Sequence, residues 1–193
     1  MAGSPGAGKT ESSRNLIKKF TKDSHSVLRI DPDDLRDKIP GYNGANSYLF
    51  MGAASILAEK IQDYALNNKQ SFIFDGTLSK LDISKDNISR SLDRGRFVQI
   101  VYVYQDPLQA WDFVRAREKK DGRNVPRQAF IDQYFVARKN VNILKTEFLD
   151  RIKVDLVVKN IDGSDFNYRE NIDVVDRYVS EKYTKDELEN LIL

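Results

Sequence analysis

The chain contains no cysteine and only one histidine and one tryptophan in 193 residues. Without cysteine there are no disulfides, no thiolate nucleophile and no cysteine-bound metal. The lone histidine, His25, lies in the polar run Asp23-Ser24-His25-Ser26 and reads as a solvated loop residue rather than a catalytic one. No apolar run approaches the roughly 20 residues that cross a bilayer. No signal peptide stands at the N-terminus, so the expected compartment is the cytoplasm. Neither sign of charge dominates: 31 Lys and Arg stand against 29 Asp and Glu, a net charge of +2. That balance argues against a nucleic-acid or membrane surface. Repeats, low-complexity tracts and linkers are also missing.

What remains is the composition of one soluble globular domain, 40% hydrophobic and 31% charged, expected to span residues 1–193. Its most specific feature is the opening stretch. Gly3-Ser4-Pro5-Gly6-Ala7-Gly8-Lys9-Thr10 fits G-x-x-x-x-G-K-[ST], a phosphate-binding loop. Glycines let the backbone approach phosphate oxygens, and the N–H groups of the following helical turn form an anion cradle at a positive dipole end. Lys9 supplies a point charge for the β- and γ-phosphates, and the Thr10 hydroxyl is placed to ligate Mg²⁺. The other reading is a frayed glycine-rich tail. Such a loop normally leaves a buried central strand. Only Met1 and Ala2 precede this one, so that strand is expected to be missing from the chain.

A helix is expected over Lys9 to Phe20, with Leu16, Ile17 and Phe20 on its apolar face. A strand follows at 27–30, and Asp31-Pro32 reads as the cap and first residue of the next helix. Carboxylates just past a strand end fall where parallel sheets bind ligands, so Asp31 can cap while Asp33 is free to act. Gly41 to Gly44 marks a break. A helix from Asn46 to Leu66 carries Phe50, Ala53, Leu57, Ile61 and Tyr64 or Ala65 as its core stripe. Ser71 to Asp75 is an apolar run ending in a carboxylate, either a plain strand-turn or the second motif of a P-loop protein. A helix at 83–94 ends near Gly95, and 97–104 is the most hydrophobic strand. A helix beginning at Asp106-Pro107 runs into the segment 115–127, with four arginines and two lysines. This segment is either a solvated, charge-mixed helix end or an arginine lid over transferring phosphate. A long helix at 126–150, a strand at 152–158, a helix near 171–183 and a capping box at Thr184 to Glu187 complete the chain. Strands alternating with helices predict an α/β fold, a mostly parallel sheet with helices on both faces.

With these motifs in this order the chain resembles the zeta toxin family of P-loop kinases over about residues 2–160. Gly3-Ser4-Pro5-Gly6-Ala7-Gly8-Lys9-Thr10 is similar to the family's G-x-P-G-[AS]-G-K-T. Ile30 to Arg36, then Ile39-Pro40-Gly41-Tyr42, resembles its I-D-x-D segment and proline-aromatic element. Asp75-Gly76-Thr77 is similar to its E-G-T turn. Arg117 and Arg123, before Val125-Pro126, resemble its lid arginines, with Arg115 a rival to Arg117. The resemblance implies a three-layer P-loop kinase fold with ATP and Mg²⁺ as cofactors. It implies ATP-dependent phosphorylation of a hydroxyl on UDP-N-acetylglucosamine or a similar UDP-amino sugar. Asp33 is then the general base; Lys9, Arg117 and Arg123 neutralise the phosphoryl group; Asp31, Arg36, Asp75, Gly76 and Thr77 meet the acceptor. An antitoxin protein is an implied partner. Asp75 departs from the family's glutamate and reaches one methylene less far. Two further readings stand beside this one: a P-loop kinase for another metabolite or nucleotide, and an inert chain, short at its N-terminus, that still binds a partner.

Overall fold

A computed structural model describes residues 1–22, 26–162 and 164–192; His25 lies outside the described residues. The parallel α/β expectation holds. Strand β1 (Val27–Ile30) pairs in parallel with β2 (Ser71–Phe74), in the register Ile30 opposite Phe74. Strands β3 (Gln99–Tyr104) and β4 (Lys153–Lys159) form a second parallel pair, and β5 (Asp165–Arg169) adds antiparallel to β4. Met1 and Ala2 lie between the two sheets. The Met1 nitrogen donates to the Phe74 carbonyl (2.7 Å), while Ala2 bridges to Tyr102 through bonds with Val101 and Val103, both 2.8 Å. Two residues therefore occupy the place of the expected central strand and bring the P-loop to the C-terminal ends of the parallel strands.

Every parallel strand then delivers its C-terminal end to one edge. The backbone bond from Asp75 N–H to the Ile30 carbonyl (2.8 Å) continues the β1–β2 register by one residue, so Asp31 and Asp75 end up side by side. Helix α1 (Lys9–Lys22) starts directly from the loop, and α2 (Pro32–Arg36) starts from β1. Asp31 caps α2: its side chain accepts from the Asp33 N–H at 2.8 Å, with Pro32 in the first turn as expected. Helix α3 (Met51–Asn67) packs on α2, β1 and β2. Helix α4 (Leu81–Leu92) follows β2, and α5 (Pro107–Asp121) follows β3 with Asp106 as its cap. Helix α6 (Arg127–Phe148) covers the β3–β4 sheet and α7 (Lys185–Leu191) packs against α6, carrying the Thr184–Glu187 capping box that the sequence predicts.

The main core lies between α6 and the β3–β4 pair. Phe130, Ile131, Tyr134, Leu144 and Leu156 are buried there, and Trp111 meets Phe130 with ring centroids 5.1 Å apart. Each large apolar side chain so buried is worth about 1.5–3 kcal/mol relative to exposure. Three expectations need correction. The inner face of α3 is Ala54, Ala58, Gln62 and Ala65, while Leu57 and Tyr64 face outward. Small residues let this helix sit close to α2 and a two-stranded sheet, which a stripe of large side chains could not. On α1 Leu16 packs against the core as expected and Ile17 is half-buried, but Phe20 is exposed, and Ser12 and Ser13 are the buried residues among the described side chains. The helix expected near 171–183 is reduced to a single 3₁₀ turn at Val175–Arg177, and just before it an unexpected strand, β5, forms where the open edge of β4 pairs with 165–169 in hydrogen bonds that a local pattern does not announce. Among the described residues no helix is long and apolar enough to cross a membrane.

Candidate active site

The loop 3–10 is shaped by contact with its neighbours. Gly6 has φ of +76°, and a Cβ there would run into the Ala110 carbonyl of α5. Gly8 has φ of +84°, with the Lys159 Cε only 3.2 Å from where a Cβ would stand. These are conformations that glycine adopts without strain. The first N–H groups of α1 lack intrahelical acceptors by construction and point toward the loop's concavity. Such a cradle of main-chain N–H groups fits an anion such as a nucleotide phosphate. Lys9 Nζ folds over it, donating to the carbonyls of Gly3 (3.0 Å) and Ser4 (2.7 Å). Burial pushes the Lys9 ammonium down to about 8; Asp75 opposes this, and Arg117 and Arg123 add to it.

The carboxylates stand opposite. Asp31 and Asp75 are both buried, and burial followed by the Asp75 charge holds the Asp31 carboxyl above its ordinary value. Asp33 is about a third exposed and forms ion pairs with Arg36 and with Arg123. The arginine segment 115–127 is a helix end over most of its length: α5 continues to Asp121, Gly122 caps it in the left-handed conformation, and only 122–126 is irregular. Arg117 lines the cleft, and its charge and that of Arg123 are felt at Lys9. Arg115 instead pairs with Glu118 at 2.7 Å and lies over the Trp111 ring, away from the loop. Burial, and then the charge of Arg123, lowers both Arg36 and Arg117 from the usual guanidinium value. Arg36 Nε is a buried donor without a partner among the described residues. Four cations, Lys9, Arg36, Arg117 and Arg123, therefore converge on one mouth with the partly exposed Asp33 carboxylate among them, an arrangement that an anionic ligand would complete.

A cleft of about 2710 Å³ runs from this mouth into the gap between β2 and β3. Gly76 and Thr77 line it, as does Asp33, and the Thr77 and Ser79 hydroxyls are 2.9 Å apart. Asp75 lines the cleft as well, with its carboxylate engaged by neighbouring side chains. It is 4% exposed, and its Oδ2 lies 3.0 Å from the Ser13 hydroxyl and 2.8 Å from Arg29 Nη2.

For Mg²⁺, the oxygens at hand are the Thr10 hydroxyl and the Asp31 and Asp75 carboxylates. This all-oxygen set suits a hard cation that keeps water and phosphate as its other ligands. Among the described residues there is no cluster of three or more acidic, histidine or cysteine side chains that would cage a metal unaided. Three residues at this edge escape the motif reading. Arg29 alternates outward from β1 onto the loop side, Ser13 lies one turn beyond Thr10, and Lys159 ends β4 beneath Gly8. A charged residue within or at the end of an otherwise apolar strand run was the signal for Arg29 and Lys159.

Residues 1–173 match the zeta toxin family. Among solved structures, the chain is similar to one described under "Molecular and structural characterization of the PezAT chromosomal toxin-antitoxin system of the human pathogen Streptococcus pneumoniae". The identity is 19% and the TM-score 0.64, with 98% of this chain and 80% of that chain covered. That likeness carries the fold. A search of curated proteins finds no match. The loop, the carboxylates and the arginines thus sit on the fold their motifs implied, and the match over 1–173 settles the kinship: the chain belongs to the zeta toxin family, whose members are ATP-dependent kinases.

Proposed function

We propose that the chain transfers a phosphoryl group from ATP to a hydroxyl of a UDP-linked amino sugar, UDP-N-acetylglucosamine. The observation that carries this reading is Asp33, a partly exposed carboxylate of the cleft, gripped by Arg36 of its own helix and by Arg123 from the 122–126 segment. A carboxylate there can orient an acceptor hydroxyl and take its proton. Lys9, Arg117 and Arg123 supply the fixed positive charge that a phosphoryl group in flight requires. Closing the lid arginines onto the loop brings them near both reactants and excludes water, which suits transfer to an acceptor better than hydrolysis. Thr10, with Asp31 or Asp75 in support, would hold Mg²⁺, which when bound neutralises phosphate charge. An antitoxin is the fitting protein partner, in keeping with the toxin–antitoxin system of the solved relative.

A second acceptor class is favoured by one feature: the Asp75 carboxylate, in the wall of the cleft, is already engaged by Ser13 and Arg29. In that case another metabolite or a nucleotide is the acceptor. ATP consumption measured against a panel of UDP-sugars, nucleotides and other hydroxyl compounds decides. Turnover with UDP-N-acetylglucosamine is expected; turnover with a nucleotide and none with any UDP-sugar would sink the first reading. Mg-ATP titrated by calorimetry tests both against an inert chain, for which no saturable binding would be seen.

A further inference from the structure

Arg29 is an oddity of β1. The strand is otherwise apolar, Val27, Leu28 and Ile30, yet its third residue carries a guanidinium whose side chain is only 11% exposed. Its position is set by five side chains. Nη2 lies 2.8 Å from Asp75 Oδ2 and 3.4 Å from Thr10 Oγ1, and pairs with Asp31 Oδ2. Nε donates to the Ser13 hydroxyl at 3.0 Å, and Nη1 pairs with Asp34. One nitrogen therefore touches the hydroxyl and both carboxylates that would otherwise receive a divalent metal. We propose that Arg29 is the resident cation of this oxygen cluster, and that a metal ion reaches Thr10, Asp31 and Asp75 only by displacing its guanidinium.

The physical basis is exclusion of volume together with balance of charge. Mg²⁺ binds oxygen at about 2.0–2.1 Å and accepts little distortion. A guanidinium nitrogen in contact with the same three oxygens leaves no space for that ion. Two buried carboxylates without a counter-charge repel each other and are costly to hold in the fold. Arg29 supplies that charge, and its bonds to Asp31, Asp34 and Asp75 must be broken or rearranged before a metal can bind. Metal affinity is thereby lower than the carboxylates alone would give, and the loop can receive a nucleotide with its oxygens already neutralised. Arg29 is on this account a positioning residue that sets metal dependence. The inference rests on the reading of Thr10 and its neighbouring carboxylates as a metal–nucleotide site.

The experiment uses Mn²⁺ as a spin probe, titrated into the free protein and followed by electron paramagnetic resonance. Native chain, R29M and R29K are compared, with folding checked by circular dichroism. R29M is expected to bind one Mn²⁺ at least about tenfold more tightly than the native chain, since charge-assisted hydrogen bonds no longer have to be broken. R29K, which keeps the charge, should stay close to native. Affinities equal within twofold in native and R29M, or no Mn²⁺ bound by R29M at millimolar concentration, would overturn the proposal. Should R29M fail to fold, the native protein still decides. Its Arg29 Nε–H signal in NMR, identified by its loss in R29K, must shift in step with MgCl₂ binding, and an unmoved signal at saturating metal overturns the proposal. A fluorescent ATP analogue tested in parallel separates the two ideas: no analogue binding to any variant removes the nucleotide reading, while the Mn²⁺ comparison still judges Arg29.

Discussion

Replacing Lys9 with Met should make the nucleotide-free protein more stable at neutral pH while removing phosphoryl transfer. The ammonium is partly buried and donates to two carbonyls, and desolvation, opposed in part by Asp75 and Asp31, pushes it from its ordinary value of 10.5 down to about 8. The difference, 10.5 − 8, is about 2.5 pH units, or about 3 kcal/mol at 1.36 kcal/mol per unit. Between pH 8 and 10.5 the unfolded chain holds the Lys9 proton more fully than the folded one, so native stability rises with pH across that window. Below pH 8 both states carry the proton and the folded state bears the whole burial cost. In the Met variant that cost is absent, though the two carbonyls lose hydrogen bonds worth about 1 kcal/mol each. A net gain of about 1 kcal/mol at pH 7 follows. It should shrink and reverse as pH rises toward 10.5. Urea unfolding followed by circular dichroism at pH 7, 8.5 and 10, for native and K9M, measures the gap, and other titrating groups cancel in the difference. A gap that stays constant over this range would show that Lys9 is not a buried, destabilised cation. A residue kept at such a cost to the fold is retained for what it does to a ligand.

Asp33→Asn should reduce transfer by about 10²–10⁴-fold, the usual contribution of a positioned general base, while calorimetry shows ATP bound nearly as in the native chain; near-native turnover would remove Asp33 from that role. Arg117→Ala and Arg123→Ala should each lose about 10²-fold or more in turnover through lost charge stabilisation, whereas Arg115→Ala should stay within about twofold of native. Equal losses at 115 and 117 would show that the cleft-facing position of Arg117 has no bearing on transfer. Gly6→Ala should cost about 1–3 kcal/mol in denaturant unfolding, because φ of +76° and the Ala110 carbonyl both oppose a Cβ. Unchanged stability there would mean that the loop has room to shift.

Much of the site was legible because its signals are local. Gly3 to Thr10 specify a loop-to-helix turn within eight residues, and Asp31-Pro32 encodes a cap and a helix start in two. The α6 core followed directly from its spacing, since a helix buried along one face must repeat large apolar residues at 3.6. On α3 the same logic failed. Close packing selected alanines for the inner face, so the size pattern pointed outward. Strand β5 failed for a related reason: the segment 165–169 becomes a strand by pairing with β4, which its own residues do not declare.

By itself the sequence determined that a phosphate loop, a carboxylate after β1, a carboxylate after β2 and an arginine-rich segment occur in one chain, in the order of a zeta toxin kinase. The tertiary structure decided which of these meet. Parallel register set Asp31 beside Asp75, the alternation of β1 aimed Arg29 at both, and the turn of α5 sent Arg117 into the cleft and Arg115 away from it. The division has a physical cause. Caps, turns and glycine-dependent loops are governed by interactions over a few residues. Which side chain neutralises which charge depends on strand register and helix rotation, and these are settled by contacts between segments far apart in the chain.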